Sequence, residues 1–376
     1  MKNKILRILT MALAVCLALC LFTACGGGGS NGDSGGGGGD VNTPTENLRY
    51  RLINNDTAYE VTGCKDENIE KLVIPETYEG KNVVKVYDKA FLNYRKLKSA
   101  VIPSTVKNIG KQAFEGCTAL TKDELPDSMT VIDNKAFYRC EKLVDVKIPS
   151  SLTTLGEYSF AYSSIKNAVV PKNVINVEKV FASCGALESI SVAEGNTKYK
   201  AVDGNLYSKD GKIFFQYACG KDDKSYSILS GVKTIYRCAF ENCKAIETVN
   251  IPNTVTLIHS SAFSDCLSLK NITIPSSVTD IGTYAFHTCP SLETLEIPSS
   301  VSWIQMGTFG YCSSLKTLII PKSVTRIGAF AFSSCTSLET ITYNGTVYEW
   351  NSVTKDASWN YDFQSSVQCT NGKVTI

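Results

Sequence analysis

The chain has 376 residues, with 38 lysines and arginines against 36 aspartates and glutamates and a formal net charge of +2. A balance so close to neutral gives no electrostatic basis for binding nucleic acid or an anionic membrane. The length would suffice for two ordinary domains, so the choice between two domains and one extended array rests on the pattern along the chain.

Residues 1–24 have the pattern of a secretion signal. A basic start precedes an apolar run that ends at Phe22, and this run is too short and wrongly flanked for a spanning helix. The sequence LFTAC at its end resembles the lipobox of bacterial lipoproteins, in which the cysteine, here Cys25, carries a diacylglycerol. Phe22 replaces the usual aliphatic residue, so an ordinary signal with an unrelated cysteine is the alternative.

Residues 25–47 contain runs of four and five glycines and are predicted to be a disordered tether. About 22 glycine-rich residues have a root-mean-square reach of roughly 25 Å, which keeps a folded part close to a membrane. The tether and the lipidation at Cys25 predict an extracytoplasmic bacterial lipoprotein, exposed at the cell surface and touching the membrane only through its lipid anchor.

Residues 48–71 are predicted to be an N-terminal cap. Apolar and polar residues alternate on either side of an Asn-Asn-Asp turn at residues 54–56, which indicates a hairpin. The end of a stacked array exposes apolar side chains and needs such a cover.

Residues 72–192 and 231–343 contain a repeat of 23 residues. Four markers keep their mutual spacing over ten units: Phe, then Cys three residues later, then Leu or Ile, and Pro. The Phe positions are Phe91, Phe114, Phe137, Phe160, Phe181, Phe240, Phe263, Phe286, Phe309 and Phe332. A fixed period of 20–29 residues with spaced aliphatic residues indicates a leucine-rich-repeat solenoid.

The unit at residues 292–314 shows how one coil is expected to fold. It opens with the L-x-x-L-x-L strand pattern, which Pro298 ends because proline has no N–H. A second short extended run follows, and the segment 307–311 is predicted to form a helical turn that buries Phe309. The predicted fold is therefore an α/β repeat solenoid of short strands and short helical turns.

The repeat resembles the BspA-type leucine-rich repeat of bacterial surface proteins. The pattern I-P-x-S-V-x-x-I-G-x-x-A-F-x-x-C-x-x-L is clearest in IPSSVTDIGTYAFHTCPSL (residues 274–292) and IPKSVTRIGAFAFSSCTSL (residues 320–338). The resemblance implies a secreted or surface protein that binds proteins or host surfaces. It supplies no catalytic residues.

Residues 193–230 interrupt the period and are predicted to be a β-hairpin insert. Asp203-Gly204 and Asp210-Gly211 stand between alternating segments, and Asp-Gly is a strong hairpin signal. The insert is rich in aromatic residues, among them Tyr207 and Phe215. These residues either pack the insert on the array or form an exposed contact site.

Residues 344–376 lie beyond the repeat and are predicted to be a C-terminal cap. Its aromatic residues are expected to cover the last coil, and an aromatic platform for sugars is the alternative. They are Trp350, Trp359, Tyr361 and Phe363.

Eight of the fifteen cysteines share one repeat position and are predicted to be a column of buried thiols. Cys64, Cys219, Cys238 and Cys369 depart from the column, and a disulfide among them is left open. With no C-x-x-C pair and two histidines, no metal site is predicted. Nucleophile, zinc-protease and phosphate-loop motifs are absent as well, so no catalytic residue and no cofactor are expected.

The outward positions of the first strands form a ribbon of small polar residues. Candidate binding residues on it are Asn250, Asn271, Thr273, Thr294, Glu296 and Thr317. Trp303 and Tyr311 are added because they are unusual substitutions within one repeat. A ribbon that is merely solvated is the alternative, since the large anchors of a tight protein interface are missing from it.

These features predict a non-enzymatic surface protein, anchored by lipid, that binds proteins or glycans of a host or neighbouring cell and is a candidate adhesin. Two alternatives remain: an envelope scaffold without an external ligand, and a carbohydrate-binding accessory module. No nucleic-acid partner is expected.

Overall fold

The computed structural model describes residues 43–362 and 366–376. The predicted signal, the lipidation site at Cys25, most of the tether and Phe363 lie outside the described residues.

The first part of the array is built from short strands. They are β1 (Leu48–Ile53), β2 (Ala58–Cys64), β3 (Lys71–Val73), β4 (Thr77–Tyr78), β5 (Lys81–Val86), β6 (Ser99–Val101), β7 (Asn108–Ile109), β8 (Lys122–Glu124), β9 (Val131–Ile132), β10 (Asp145–Val146), β11 (Thr154–Leu155), β12 (Asn167–Val170) and β13 (Ser189–Val192). After the antiparallel hairpin β1–β2, strands β5, β7, β9 and β11 stack in parallel on one side of the coils. Strands β3, β6, β8 and β10 stack on the other side.

The second part follows the same plan. Its elements are β14 (Tyr199–Val202), β15 (Asn205–Ser208), β16 (Ile213–Gln216), β17 (Ser225–Ser227), β18 (Thr234–Ile235), β19 (Thr248–Asn250), β20 (Leu257–Ile258), β21 (Asn271–Ile272), β22 (Asp280–Ile281), β23 (Thr294–Glu296), β24 (Trp303–Ile304), β25 (Thr317–Ile320), β26 (Arg326–Ile327), β27 (Thr340–Tyr343), α1 (Val347–Ser352), β28 (Thr354–Lys355), β29 (Ser366–Cys369) and β30 (Gly372–Thr375). One sheet runs from β17 through the odd-numbered strands to β29 and then β30. The predicted solenoid is therefore confirmed.

The third side of each coil is a double turn, and not the helical turn expected at residues 307–311. The residues two before and two after the Phe have positive φ in coil after coil, as at Tyr284 (57°) and Thr288 (56°). In that coil the N–H groups of residues 284, 286 and 288 donate to carbonyl oxygens 22 residues further on, at 2.8–3.0 Å. Because these N–H groups bond to the next coil, they are not available for a helix.

The core is a stack of aromatic rings along the array. The rings of Phe263 and Phe286 lie 5.0 Å apart at 3° and those of Phe286 and Phe309 lie 5.5 Å apart at 10°, and all three side chains are fully buried. This spacing matches the distance of about 4.7–4.9 Å between hydrogen-bonded strands. Ring stacking and backbone pairing therefore require the same register.

The cysteine column adds a hydrogen bond to each interface between coils. The Sγ atoms of Cys266, Cys289, Cys312 and Cys335 each donate to the carbonyl oxygen of the Phe 26 residues earlier, at 3.2–3.3 Å. Ser163 takes the same place in its own coil and is also buried. A small side chain with one donor suits this position, which explains why it is cysteine rather than a larger apolar residue.

A disulfide joins the coil that follows the hairpins to the next coil. Cys219 bonds to Cys243, with 4.6 Å between their Cα atoms. The sequence left open a disulfide among the four cysteines outside the column. The observed bond instead joins one of these, Cys219, to a member of the column, Cys243. Cys64, Cys238 and Cys369 are free and buried.

The insert contains two hairpins that share β15, as the Asp-Gly pairs predicted. Asp203 (φ 49°) and Gly204 (φ 72°) form the two-residue turn between β14 and β15. Strand β16 then pairs in parallel with β18, and β17 pairs with β19. The array therefore resumes at Ile213, before the boundary at residue 230 drawn from the sequence.

The two ends of the array are covered by aromatic residues. At the C-terminal end the rings of Trp350 and Trp359 lie 5.9 Å apart, and Trp359 packs edge-on against Phe332 at 6.3 Å. Thr346 and Glu349 form a capping box that starts α1 and so orients Trp350. At the N-terminal end the β1–β2 hairpin turns through residues 54–56, all with positive φ.

Replacing Phe286 with Ala should destabilise the fold by about 3–5 kcal/mol, because the change removes a fully buried ring from the stack and leaves a cavity. Phe330→Ala is the matched control: this side chain lies in the turn two coils later and is 46% exposed, so we expect a change of about 0.5 kcal/mol or less. Urea unfolding followed by circular dichroism measures both, and equal losses would contradict the role of the stack.

Candidate binding surface

Six of the predicted residues lie side by side on one sheet face. In β23 the side chains of Thr294 and Glu296 point outward and are exposed, while Leu295 is buried. Thr294 is opposite Asn271 on one side and Thr317 on the other. Asn250 and Thr273 are exposed on the neighbouring coils, so strand pairing groups residues that are 23 positions apart in the chain.

The face opens into a groove between β21 and β23. These strands are paired only at Asn271 and Thr294, whereas β23 and β25 are paired at three successive positions. Beyond that single pair the coils diverge and leave a depression of about 530 Å³, with Thr273, Thr294, Glu296 and Thr317 in its lining. A smaller depression of about 150 Å³ adjoins it at Asn250, Asn271 and Thr273.

The groove has a mixed lining with a single charge. Aliphatic side chains and two prolines line it together with the hydroxyl groups of threonine and serine, and Glu296 supplies its one carboxylate. Such a lining can donate and accept hydrogen bonds along an extended chain and can pair with one cationic group.

A row of charges borders the face, and the sequence reasoning missed it. The residue just before each of the strands β17, β19, β21, β23 and β25 is charged, and its sign alternates from one coil to the next. These residues are Lys224, Glu247, Lys270, Glu293 and Lys316, with N–O distances of 2.6 Å for Lys270–Glu247 and 3.3 Å for Lys316–Glu293. The hydrogen bond from Lys270 lowers the pKa of Glu247. The sequence does contain the pattern that would have predicted this row: the charge at one repeat position changes sign from each unit to the next.

Trp303 and Tyr311 do not lie on this face. Trp303 is on β24 in the other sheet, 43% exposed, with the Arg326 guanidinium 5.0 Å from its ring centroid. Tyr311 is on the turn side, 53% exposed, with its ring 5.1 Å from that of His287. The sequence marked both as unusual substitutions within one repeat, but it could not show that they lie on different sides of the coil.

Tyr207 is not a contact residue, contrary to the expectation. Its side chain is fully buried, and its hydroxyl bonds to that of Tyr226. Phe215 is half-buried between the rings of Tyr199 and Tyr236, at 5.3 and 4.9 Å. The aromatic residues of the insert pack it on the array.

The most chemically distinctive cluster lies at the junction behind the insert. Cys238 and Glu241 from one coil meet Ser183 from another, and Glu241 hydrogen-bonds to both. Burial raises the pKa of Cys238 and of Glu241. A thiol held in its protonated form is a poor nucleophile, so this geometry does not make a catalytic pair. Within residues 43–362 and 366–376, histidines, cysteines and carboxylates do not gather in a group that could hold a metal.

The family model described as the BspA type leucine rich repeat region matches residues 84–203 and 233–354, in six copies. The chain belongs to the BspA-type leucine-rich repeat family. Proteins of this family are typically bacterial surface proteins, and the family is a non-enzymatic one that suggests a role in protein interaction. No curated protein is significantly similar to the chain.

Solved structures share the leucine-rich-repeat fold of this chain. A leucine rich cell surface protein from Faecalibacterium prausnitzii is 26% identical, with a TM-score of 0.60, over 85% of this chain and 98% of the other. A leucine-rich repeat protein from Eubacterium ventriosum is 22% identical, with a TM-score of 0.69, over 84% and 93%. The pneumococcal vaccine antigen PcpA is 21% identical, with a TM-score of 0.65, over 88% and 98%. At 22% and 21% identity, the last two similarities show a shared fold and no more.

The helix in the part of this BspA-type chain that the structure describes is too short and too polar to cross a bilayer.

Glu241→Gln should remove a pH dependence of stability. Because burial raises the pKa of Glu241 above its usual 4.5, the favourable protonated form is present in acid and is lost as the pH rises through the folded-state pKa. The native chain should therefore gain stability relative to Glu241→Gln as the pH falls from 7 to 4, measured as the difference between their free energies of unfolding.

Glu247→Gln is the control with the opposite sign. Its pKa is lowered by Lys270, so its contribution is present at neutral pH and falls as the pH drops. Urea midpoints at both pH values test the pair of variants, and a shared sign would contradict the assignment of Glu241.

Proposed function

We propose that this protein is a lipid-anchored, non-enzymatic adhesin of the bacterial cell surface, and that the groove between β21 and β23 binds a protein partner. The observation that carries the proposal is the grouping of Thr273, Thr294, Glu296 and Thr317 around one depression of the sheet face. Nothing in the packing of the coils requires these side chains, because they point away from the core.

The groove favours an extended segment of the partner. Its lining comes from three neighbouring coils and offers hydroxyl groups together with apolar side chains, which can serve the polar backbone and the side chains of an extended peptide. A lysine or arginine of the partner would face Glu296, the one carboxylate in the lining. The small side chains provide few anchors, so the expected affinity is moderate.

The surface location draws on three features. The BspA-type family is typically found at bacterial surfaces, and the F. prausnitzii neighbour is described as a cell surface protein. The third is the sequence LFTAC followed by the glycine-rich tether. Lipidation of Cys25 would attach the solenoid to the outer side of the membrane.

Thr294→Arg is expected to weaken binding about 10-fold or more, because the guanidinium fills the groove and neutralises Glu296. Thr279→Arg, at an exposed position of the previous coil outside the groove lining, is the matched control and should bind like the native chain. Biolayer interferometry of the purified chain against a panel of extracellular matrix proteins makes the measurement. Absence of binding to the whole panel, or equal loss in both variants, would count against the proposal.

Cys25→Ser is expected to release the chain from the membrane fraction of a bacterial expression host, because the thiol that carries the diacylglycerol is gone. Incorporation of radiolabelled palmitate should disappear in the same variant. Cys369→Ser serves as the control, since this cysteine lies in the described C-terminal cap. A Cys25→Ser chain that stays in the membrane fraction would argue for an uncleaved signal as the anchor.

A further inference from the structure

Three consecutive coils carry aromatic side chains on their turns, at positions where the backbone makes them unfavourable. Tyr284, Tyr311 and Phe330 have φ values of 57°, 62° and 56°. Bulky residues rarely adopt this left-handed conformation, and apart from Tyr158 and Tyr162 the turn residues with positive φ in other coils are not aromatic. Aromatic residues at strained positions need a compensating reason.

Packing in the interior explains the aromatic residues at such positions in an earlier coil, but it does not explain Tyr311 and Phe330. Tyr158 and Tyr162 have the same φ sign, and they pack with Tyr138 against a buried cluster that includes Cys238. Tyr311 and Phe330 are instead 53% and 46% exposed. Their rings contribute to a surface.

Glycines in the next coil shape this surface. A Cβ on Gly307 would lie 2.3 Å from the Tyr284 ring, and a Cβ on Gly310 would lie 3.1 Å from the His287 ring. Each ring therefore lies directly against backbone. Tyr284, His287 and Tyr311 are joined edge to face, with centroid separations of 5.3 and 5.1 Å. We call these three residues, with Phe330, the aromatic platform.

The platform is amphipathic and carries no cation. Within the described residues, cations stack on other rings, such as Lys179 on Tyr158 and Arg326 on Trp303, and not on Tyr284 or Tyr311. The imidazole of His287 bonds to Thr288 Oγ1 at 2.9 Å, and the Asp265 carboxylate is near enough to act on its charge. Apolar ring faces are thus bordered by hydroxyl, imidazole and carboxylate groups.

We propose that the aromatic platform binds a neutral oligosaccharide. A pyranose has apolar C–H faces and hydroxyl edges, which match ring faces bordered by hydrogen-bonding groups. Three coils at about 4.8 Å per coil span roughly 10 Å, the length of two or three sugar rings. A standard protein interface buries about 800 Å² per partner and involves roughly 20–30 residues a side, whereas the platform consists of four side chains. The Asp265 carboxylate disfavours an anionic sugar. The site is separate from the groove between β21 and β23, so it goes beyond the proposed function.

The test is calorimetric titration of the full chain with neutral trisaccharides of glucose, galactose, mannose and N-acetylglucosamine, beside a sialylated trisaccharide. We expect a neutral trisaccharide to bind, and Tyr311→Ser and Phe330→Ser each to weaken it about 10-fold. Serine already occupies the equivalent turn positions at Ser334 and Ser261, so both variants should fold.

Two control variants separate this site from other surfaces. Trp303→Ser removes an exposed aromatic ring from the second sheet, and Thr294→Arg blocks the groove; both should leave sugar binding unchanged. The proposal is overturned if every neutral trisaccharide fails to bind at millimolar concentration, if only the sialylated one binds, or if Trp303→Ser weakens binding as much as Tyr311→Ser. Loss of protein binding in Thr294→Arg with sugar binding intact would show that the two sites are independent.

Discussion

The contact between one coil and the next is the constraint on which the whole structure depends. A 23-residue unit cannot bury its own Phe, because the ring stacks on the Phe rings of the coils before and after it. The ring stack, the strand pairing and the thiol-to-carbonyl hydrogen bonds all repeat with the same translation. A change in the length of one coil disturbs all three at once, so stability depends on register and accumulates through nearest neighbours.

The insert shows how a departure from the period is accommodated. Thirty-six residues separate Phe181 from Tyr217, but Tyr217 lies 23 residues before Phe240 and stacks on it at 5.2 Å. The chain leaves the array as a hairpin and returns in register, with β16 pairing in parallel with β18. The Cys219–Cys243 disulfide then links this coil to the next. The extra length is therefore confined to the hairpins, and the ladder of the following coils is regular.

The repeat made the fold readable from the sequence, since every inward position recurs and can be averaged over ten units. The exceptions have physical causes. The turns look helical in sequence because they contain Ala-Phe, but their N–H groups bond to the next coil and leave residues such as Tyr284 with positive φ. Tyr217 was missed because a tyrosine takes the Phe position after an irregular gap. Tyr207 was misjudged because aromatic residues in a unique segment have no repeat to show which way they point.

The same geometry determines where the predicted binding residues lie. Thr294 and Thr317 are 23 residues apart and adjacent in space, whereas Glu296 and Trp303 are seven apart and lie on different sheets. One coil thus supplies Glu296 to the groove, Trp303 to the second sheet and Tyr311 to the turns. Because outward side chains are not needed for the stack, each face can change its chemistry without altering the core. The solenoid can for this reason carry a groove on its sheet face and an aromatic platform on its turns within the same few coils, and each can be altered by substitutions that leave the other intact.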